Sequence, residues 1–151
     1  MNKKEQLKYI NNDKNRKKRM EKECLRLWQE IVKARANYRC EFPGCRKDSY
    51  LNAHHVFSKG THKQVKVDPD NGICLCSLHH ALGKESAHKD PFFYEKILGE
   101  KEGYEAIRSR RWLNNLERKA WSFYKVDWNL EYIYLQQEYK KYVKDIANPE
   151  N

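Results

Sequence analysis

Apolar residues recur along this chain in two rhythms. Met20, Cys24, Leu27, Ile31 and Ala34 follow one another at steps of four and three, with Leu25, Trp28 and Val32 alongside. This spacing predicts an amphipathic helix over roughly 18–37. The 17 residues before it are strongly polar and read as a frayed arm. From 40 to 91 the chain turns to Cys, His, Gly, Pro and Asn, and short apolar runs such as Tyr50–Ala53 and Val65–Val67 suit strands better than helices. After Pro91 helical spacing returns in Ile107, Leu113, Leu116, Ala120 and Phe123. It recurs in Trp128, Tyr132, Leu135, Tyr139, Tyr142 and Ile146, with Asp127 placed to cap that second helix. Both stripes read as packing faces, although Tyr and Trp beside Arg108, Arg110 and Arg111 leave base stacking open. Three segments follow: a basic N-terminal arm and helix (1–39), a chemically loaded core (40–91) and a C-terminal helical region packing on it (92–151).

Charge sharpens this picture. Lys and Arg number 31 against 21 Asp and Glu, a net charge of +10, and 13 of these basic residues stand in 1–39 beside five acids. A surface this positive attracts polyanions, so nucleic acid or an anionic membrane heads the list of partners and acidic proteins come next. Lys17, Lys18 and Arg19 in the N-terminal segment, and Lys59, Lys63 and Lys66 further on, are the candidate phosphate contacts. An aromatic content of 13% argues against disorder. No run approaches the roughly 18–20 apolar residues of a membrane span, and the first residues lack a signal-peptide core, so a soluble cytoplasmic protein without a membrane partner is expected.

Five cysteines in such a chain point to metal ligation before disulfides. Cys40-Glu-Phe-Pro-Gly-Cys45 holds Pro43 and Gly44, which let the chain turn back so that two thiolates meet one tetrahedral ion, the form of a zinc knuckle. After thirty intervening residues (46–75), Cys76 and His79 supply a second pair at two-residue spacing, completing a Cys3His set for a structural zinc. Cys74 competes for the third position but lacks that spacing to His79. Cys74 and Cys24 read as small apolar core residues.

Between the two pairs lies Ala53-His54-His55-Val56-Phe57, and Asp68-Pro69-Asp70-Asn71-Gly72-Ile73 then runs into Cys74-Leu75-Cys76-Ser77-Leu78-His79-His80. The order His-His, Asn, then Leu-Cys-x2-His-His resembles the HNH or ββα-metal endonucleases, and more closely their small phage-type members with a zinc knuckle. The resemblance covers about 38–91. It implies an α+β fold, a zinc-stapled ββα unit flanked by helices, and metal-dependent hydrolysis of DNA, double-stranded or branched, leaving 5′-phosphates. It also implies that His54 and His80 hold a catalytic divalent ion (Mg2+, Mn2+, Ni2+, Co2+ or Zn2+), that His55 is the general base, and that Asn71 braces the loop. His80 follows Asn71 by nine positions, the interval expected in that family. Asn71-Gly72 also reads simply as a turn. If the protein is phage-encoded, the host cytoplasm is its place, and packaging or recombination proteins are further partners.

The position one helical turn beyond His80 is Lys84, which cannot ligate, and the next candidate is His88. An unbroken helix would set His88 roughly 12 Å away, too far for a shared ion. His88 becomes a ligand only if the helix breaks near Gly83 and residues 81–87 form a short insertion; packing beside Pro91 is the other reading. Three imidazoles would favour Mn, Co, Ni or Zn over Mg. His62 reads as a solvated loop residue. Two rivals remain, a zinc-knuckle nucleic-acid-binding module and a packaging or assembly accessory, both without catalysis. The first has no use for His54, His55, Asn71 and His80 together.

Overall fold

The computed structural model describes residues 2–147. Helix α1 runs from Lys3 to Arg35, so the expected frayed arm is instead its first half. The cause is local. Asn2 accepts from the Glu5 backbone N–H at 3.0 Å while the Glu5 carboxylate accepts from the Asn2 N–H at 2.8 Å, a reciprocal cap. Asp13 then pairs with Arg16 at 3.2 Å and Lys17 at 3.1 Å, one turn along the same face. Lys18 and Arg19 stand exposed on this helix.

Two strands follow, β1 (Leu51–His55) and β2 (Gly72–Cys76), paired antiparallel with Leu51 opposite Cys76 and His55 opposite Gly72. The Val65–Val67 run is not a strand. Lys63–Val65 makes a 3-10 turn whose Val65 is buried, and a second such turn, Pro69–Asn71, leads directly into β2. All five residues of β2 are buried, because the sheet is covered on both faces. On one side Cys74 packs with Cys24, Leu27, Trp28, Ile31 and Val32 of α1. On the other, Ile73 and Leu75 meet Phe42 and, from the short helix α2 (Phe93–Ile97), Phe93 and Ile97. Gly72 makes the first contact possible: a Cβ there would sit 2.2 Å from Val32 Cγ2 and 3.1 Å from Trp28 Cζ2.

A single π-helical turn, Leu78–Leu82, follows β2. Helix α3 (Arg110–Ala120) is capped by Ser109, whose hydroxyl accepts from Trp112 N, and buries Leu116 and Ala120 against Val65. This cap starts the helix after Ile107, and Trp121 ends it before Phe123, so both of those apolar residues lie outside the helix and are exposed. Helix α4 (Trp128–Ala147) begins at Asp127, whose carboxylate accepts from Asn129 and Leu130 N–H groups. Its Leu135 is fully buried against α1, with Trp128, Tyr132, Tyr139 and Tyr142 around it, so this aromatic stripe is core. The side chain of Ile146 lies outside the described residues. No helix among the described residues is long and apolar enough to cross a membrane.

Candidate active site

The turn Cys40–Cys45 closes on itself because Gly44 takes a φ of +78°, a left-handed conformation that side chains resist, and Cys45 N–H then donates to Phe42 O at 2.9 Å. Cys76 is the last residue of β2, where the chain leaves the sheet for the π-helical turn, and this brings its Sγ to 3.4 Å from His79 Nδ1. Cys40 Sγ lies 3.5 Å from the same nitrogen, and the ligand atoms of Cys40, Cys45, Cys76 and His79 all fall within 4.8 Å of one another. A tetrahedral zinc with thiolate and imidazole ligands has ligand-to-ligand edges of about 3.4–3.8 Å, so these four residues fit it. Phe42 stacks on the His79 ring at 3.9 Å, fixing its plane. Burial works to raise the Cys76 thiol, but hydrogen bonds from the backbone of His79 and the side chain of Cys40 outweigh it and hold its pKa below the ordinary value, which favours the thiolate a metal needs. Cys24 and Cys74 belong to the core cluster on α1, where burial raises their thiols to about 11 and about 12.

A second cluster begins one residue beyond His79, at His80. His54 faces His80 and His88 across the end of the sheet, with one ligand nitrogen from each of the three within 4.8 Å of the others. His80 and His88 approach to 3.3 Å between their Nε2 atoms, about the edge expected for two imidazoles on one tetrahedral ion. Burial first, and then His80 and His88, push the His54 pKa down to about 4, so its ring is neutral and able to ligate at ordinary pH. The His54 Nε2 also lies 3.1 Å from the Tyr94 hydroxyl.

His88 reaches this cluster because the helical turn stops at Leu82. Gly83 is extended, and its N–H donates to Leu78 O at 2.8 Å. The following loop is clamped from beneath by Lys96, a buried residue whose Nζ donates to Glu85 at 2.6 Å and Asp90 at 2.7 Å. Tyr104 donates to the same Glu85. Removing this clamp should loosen His88. Lys96→Met is expected to weaken Ni2+ binding at the histidine cluster about tenfold without changing the zinc content of the cysteine cluster, as measured by isothermal titration and metal analysis.

His55, the neighbour of His54 on β1, turns to the opposite face. Its ring stacks on Trp28 of α1 at 3.9 Å and 16°, and its Nε2 lies 2.8 Å from the Lys66 carbonyl oxygen. Trp28 is itself held, with Nε1 donating to Asp68 O at 2.8 Å. Burial lowers the pKa of His55. Asn71 is fully buried and ties the intervening loop to β2. Its Nδ2 donates to the carbonyls of Phe57 (3.0 Å) and Val65 (2.9 Å), and its Oδ1 accepts from Phe57 N at 2.7 Å. Asn71 ends the 3-10 turn and Gly72 beside it is extended, so the dipeptide is the passage from that turn into β2.

Lys59 and Lys63 stand exposed on this loop, whereas Lys66 is turned back to Glu21 of α1. Trp28, Tyr94 and Lys96 were not among the sequence candidates. Trp28 carried only the helical rhythm of a core residue, and nothing in the sequence marks Tyr94 or Lys96 as a partner of a histidine.

Comparison with known families places this geometry. Residues 40–82 match the family model described as HNH endonuclease, a segment that includes both cysteine pairs, His54, His55, Asn71 and His80 but stops short of His88. No curated protein and no solved structure matches the chain. The knuckle, the two strands and the helical turn that closes on them are thus the part of the chain, residues 40–82, that is similar to the HNH endonuclease family.

Proposed function

We propose that this chain is a metal-dependent endonuclease that hydrolyses phosphodiester bonds in DNA, double-stranded or branched. The observation that carries the reading is the convergence of His54, His80 and His88 within ligand distance next to a histidine whose tautomer is set by a backbone carbonyl. A carbonyl only accepts, so Nε2 of His55 carries the ring proton toward Lys66 O and Nδ1 keeps its lone pair. In that state His55 is the general base, taking a proton from the attacking water at Nδ1. Trp28 holds the plane of the ring, and Asn71 keeps the loop that bears Lys66 closed on β2. His54, His80 and His88 would hold a divalent ion, which when bound would supply charge neutralisation for phosphodiester hydrolysis. Cys40, Cys45, Cys76 and His79 hold a structural zinc. Lys17, Lys18, Arg19, Lys59 and Lys63 contact phosphates.

The test is incubation of supercoiled plasmid with the zinc-loaded protein and Mg2+, Mn2+, Co2+, Ni2+ or Zn2+ in turn. Nicking is expected, most strongly with the ions that accept imidazole nitrogen. A folded, zinc-loaded protein that cleaves with none of them overturns the reading. His88→Ala should shift the metal-activation curve to about tenfold higher concentration. An unchanged curve would return His88 to a structural role and leave two imidazoles at the site.

A further inference from the structure

The segment between α3 and α4 presents three aromatic rings to solvent. Trp121 is 69% exposed, Tyr124 53%, and Phe123 fully. Neither helix needs them, since α3 ends at Ala120 and α4 begins at Trp128. The segment is nevertheless fixed in place, because Gln64 Nε2 donates to the Ser122 carbonyl at 2.8 Å. The His62 ring meets Trp121 edge-on at 5.0 Å and Phe57 at 5.3 Å. Phe57 is two residues beyond His55 along the chain, so ring contacts run from the segment that follows His55, through His62, to the exposed Trp121.

The same surface carries uncompensated charge. Lys59, Lys63 and Lys125 are exposed and make no ion pair among the described residues, whereas Lys119 nearby is neutralised by Asp68 and Asp70. Thr61, Lys63, Gln64, Phe123, Tyr124 and Lys125 line one groove. Free lysines call for a polyanion, and open ring faces call for planar apolar groups; a nucleic-acid strand offers both. In a duplex the base faces are covered by one another, so rings laid open in this way accept the bases of an unpaired strand.

We propose that Trp121, Phe123 and Tyr124, with Lys59, Lys63 and Lys125, bind an unpaired DNA strand beside the active site, bases on the rings and phosphates on the lysines. The preferred substrate is then DNA with a single-stranded portion, such as a branch, flap or gap. This rests on the nuclease reading for the fate of the strand and stands by itself for its capture.

The test is fluorescence anisotropy with labelled single-stranded and blunt duplex oligonucleotides of one sequence, in a His55→Ala background with zinc present so that cleavage does not intervene. Single strands should bind at least tenfold more tightly than duplex. Trp121→Ala with Phe123→Ala should weaken single-strand binding tenfold or more and leave duplex binding within twofold, and Phe123→Trp should retain it. Changing Lys59, Lys63 and Lys125 to Gln should flatten the dependence of log affinity on log salt by about two, at roughly 0.7 per lost phosphate contact on a single strand. Equal binding of the two oligonucleotides, or an aromatic double variant that binds single strands as before, overturns the proposal, as does failure to bind single strands at all, the outcome expected of a protein-docking surface. Plasmid cleavage by the otherwise wild-type aromatic variant separates the two readings. Ring-dependent strand binding without cleavage by the wild-type protein would sink the nuclease reading alone, whereas cleavage with ring-independent binding would sink this one alone.

Discussion

Cys76→Ser is expected to release a tightly held zinc and to unfold the chain at ordinary temperature. Cys76 sits where β2 passes into the helical turn, and its sulfur, with Cys40, flanks His79 at 3.4 and 3.5 Å. A structural zinc contributes folding free energy on the order of 10 kcal/mol, comparable with the whole stability of a domain, typically about 5–15 kcal/mol. The loss is also local to the site, because His80 lies one residue beyond His79 and the same turn carries both clusters. Loss of the zinc therefore takes the histidine cluster with it. Metal analysis and circular dichroism melting check this. A Cys76→Ser protein that carries no zinc and melts with the wild type would remove zinc from the folding of this domain. Cys74→Ser, two residues away in the α1 core, is the control: it should keep the zinc and show only the cost of a buried hydroxyl.

His55→Ala should lower plasmid cleavage by about 10²–10⁴-fold, the range a general base contributes, while Ni2+ affinity at His54, His80 and His88 stays within threefold. The geometry predicts a measurable secondary effect. Removing the ring takes away the face that stacks on Trp28 at 3.9 Å, a contact of about 1 kcal/mol, and in a chain of this length that lowers the melting temperature by about 2–4 °C. Trp28→Leu should lower cleavage as well, through misplacement of the imidazole, again without altering metal affinity. Cleavage by His55→Ala within threefold of wild type would remove His55 as the base. A loss of cleavage matched by an equal loss of metal affinity would make it a ligand instead.

The residues that gather in the two clusters could be read from the sequence because the requirements of a metal site are short-ranged. Two cysteines around Pro43-Gly44, a Cys and a His with two residues between them and a His-His pair on an apolar run are each constrained by the reach of a few peptide units. The buried face of α1 was legible for the same reason, since Cys24, Leu27, Trp28 and Ile31 recur at the helical period. β2 was harder to place, because a strand covered on both faces has no alternation to display. The helical nature of residues 3–17 does not show in the hydrophobic pattern although its cap, Asn2 and Glu5, stands in the sequence, because the polar run has no apolar period.

Other features are set by contacts between residues distant along the chain. Trp28 stacks on His55, Lys66 turns its carbonyl to that ring, Tyr94 meets His54, and Lys96 grips the loop of His88. Each depends on where one backbone segment lies relative to another. A periodic pattern records which face of an element is buried, but not the residue across from it. The break at Gly83 could be suspected from composition. That the loop returns His88 to within 3.3 Å of His80 follows from the Lys96 clamp beneath it, a set of charged hydrogen bonds that forms only when α2 is already packed on the sheet.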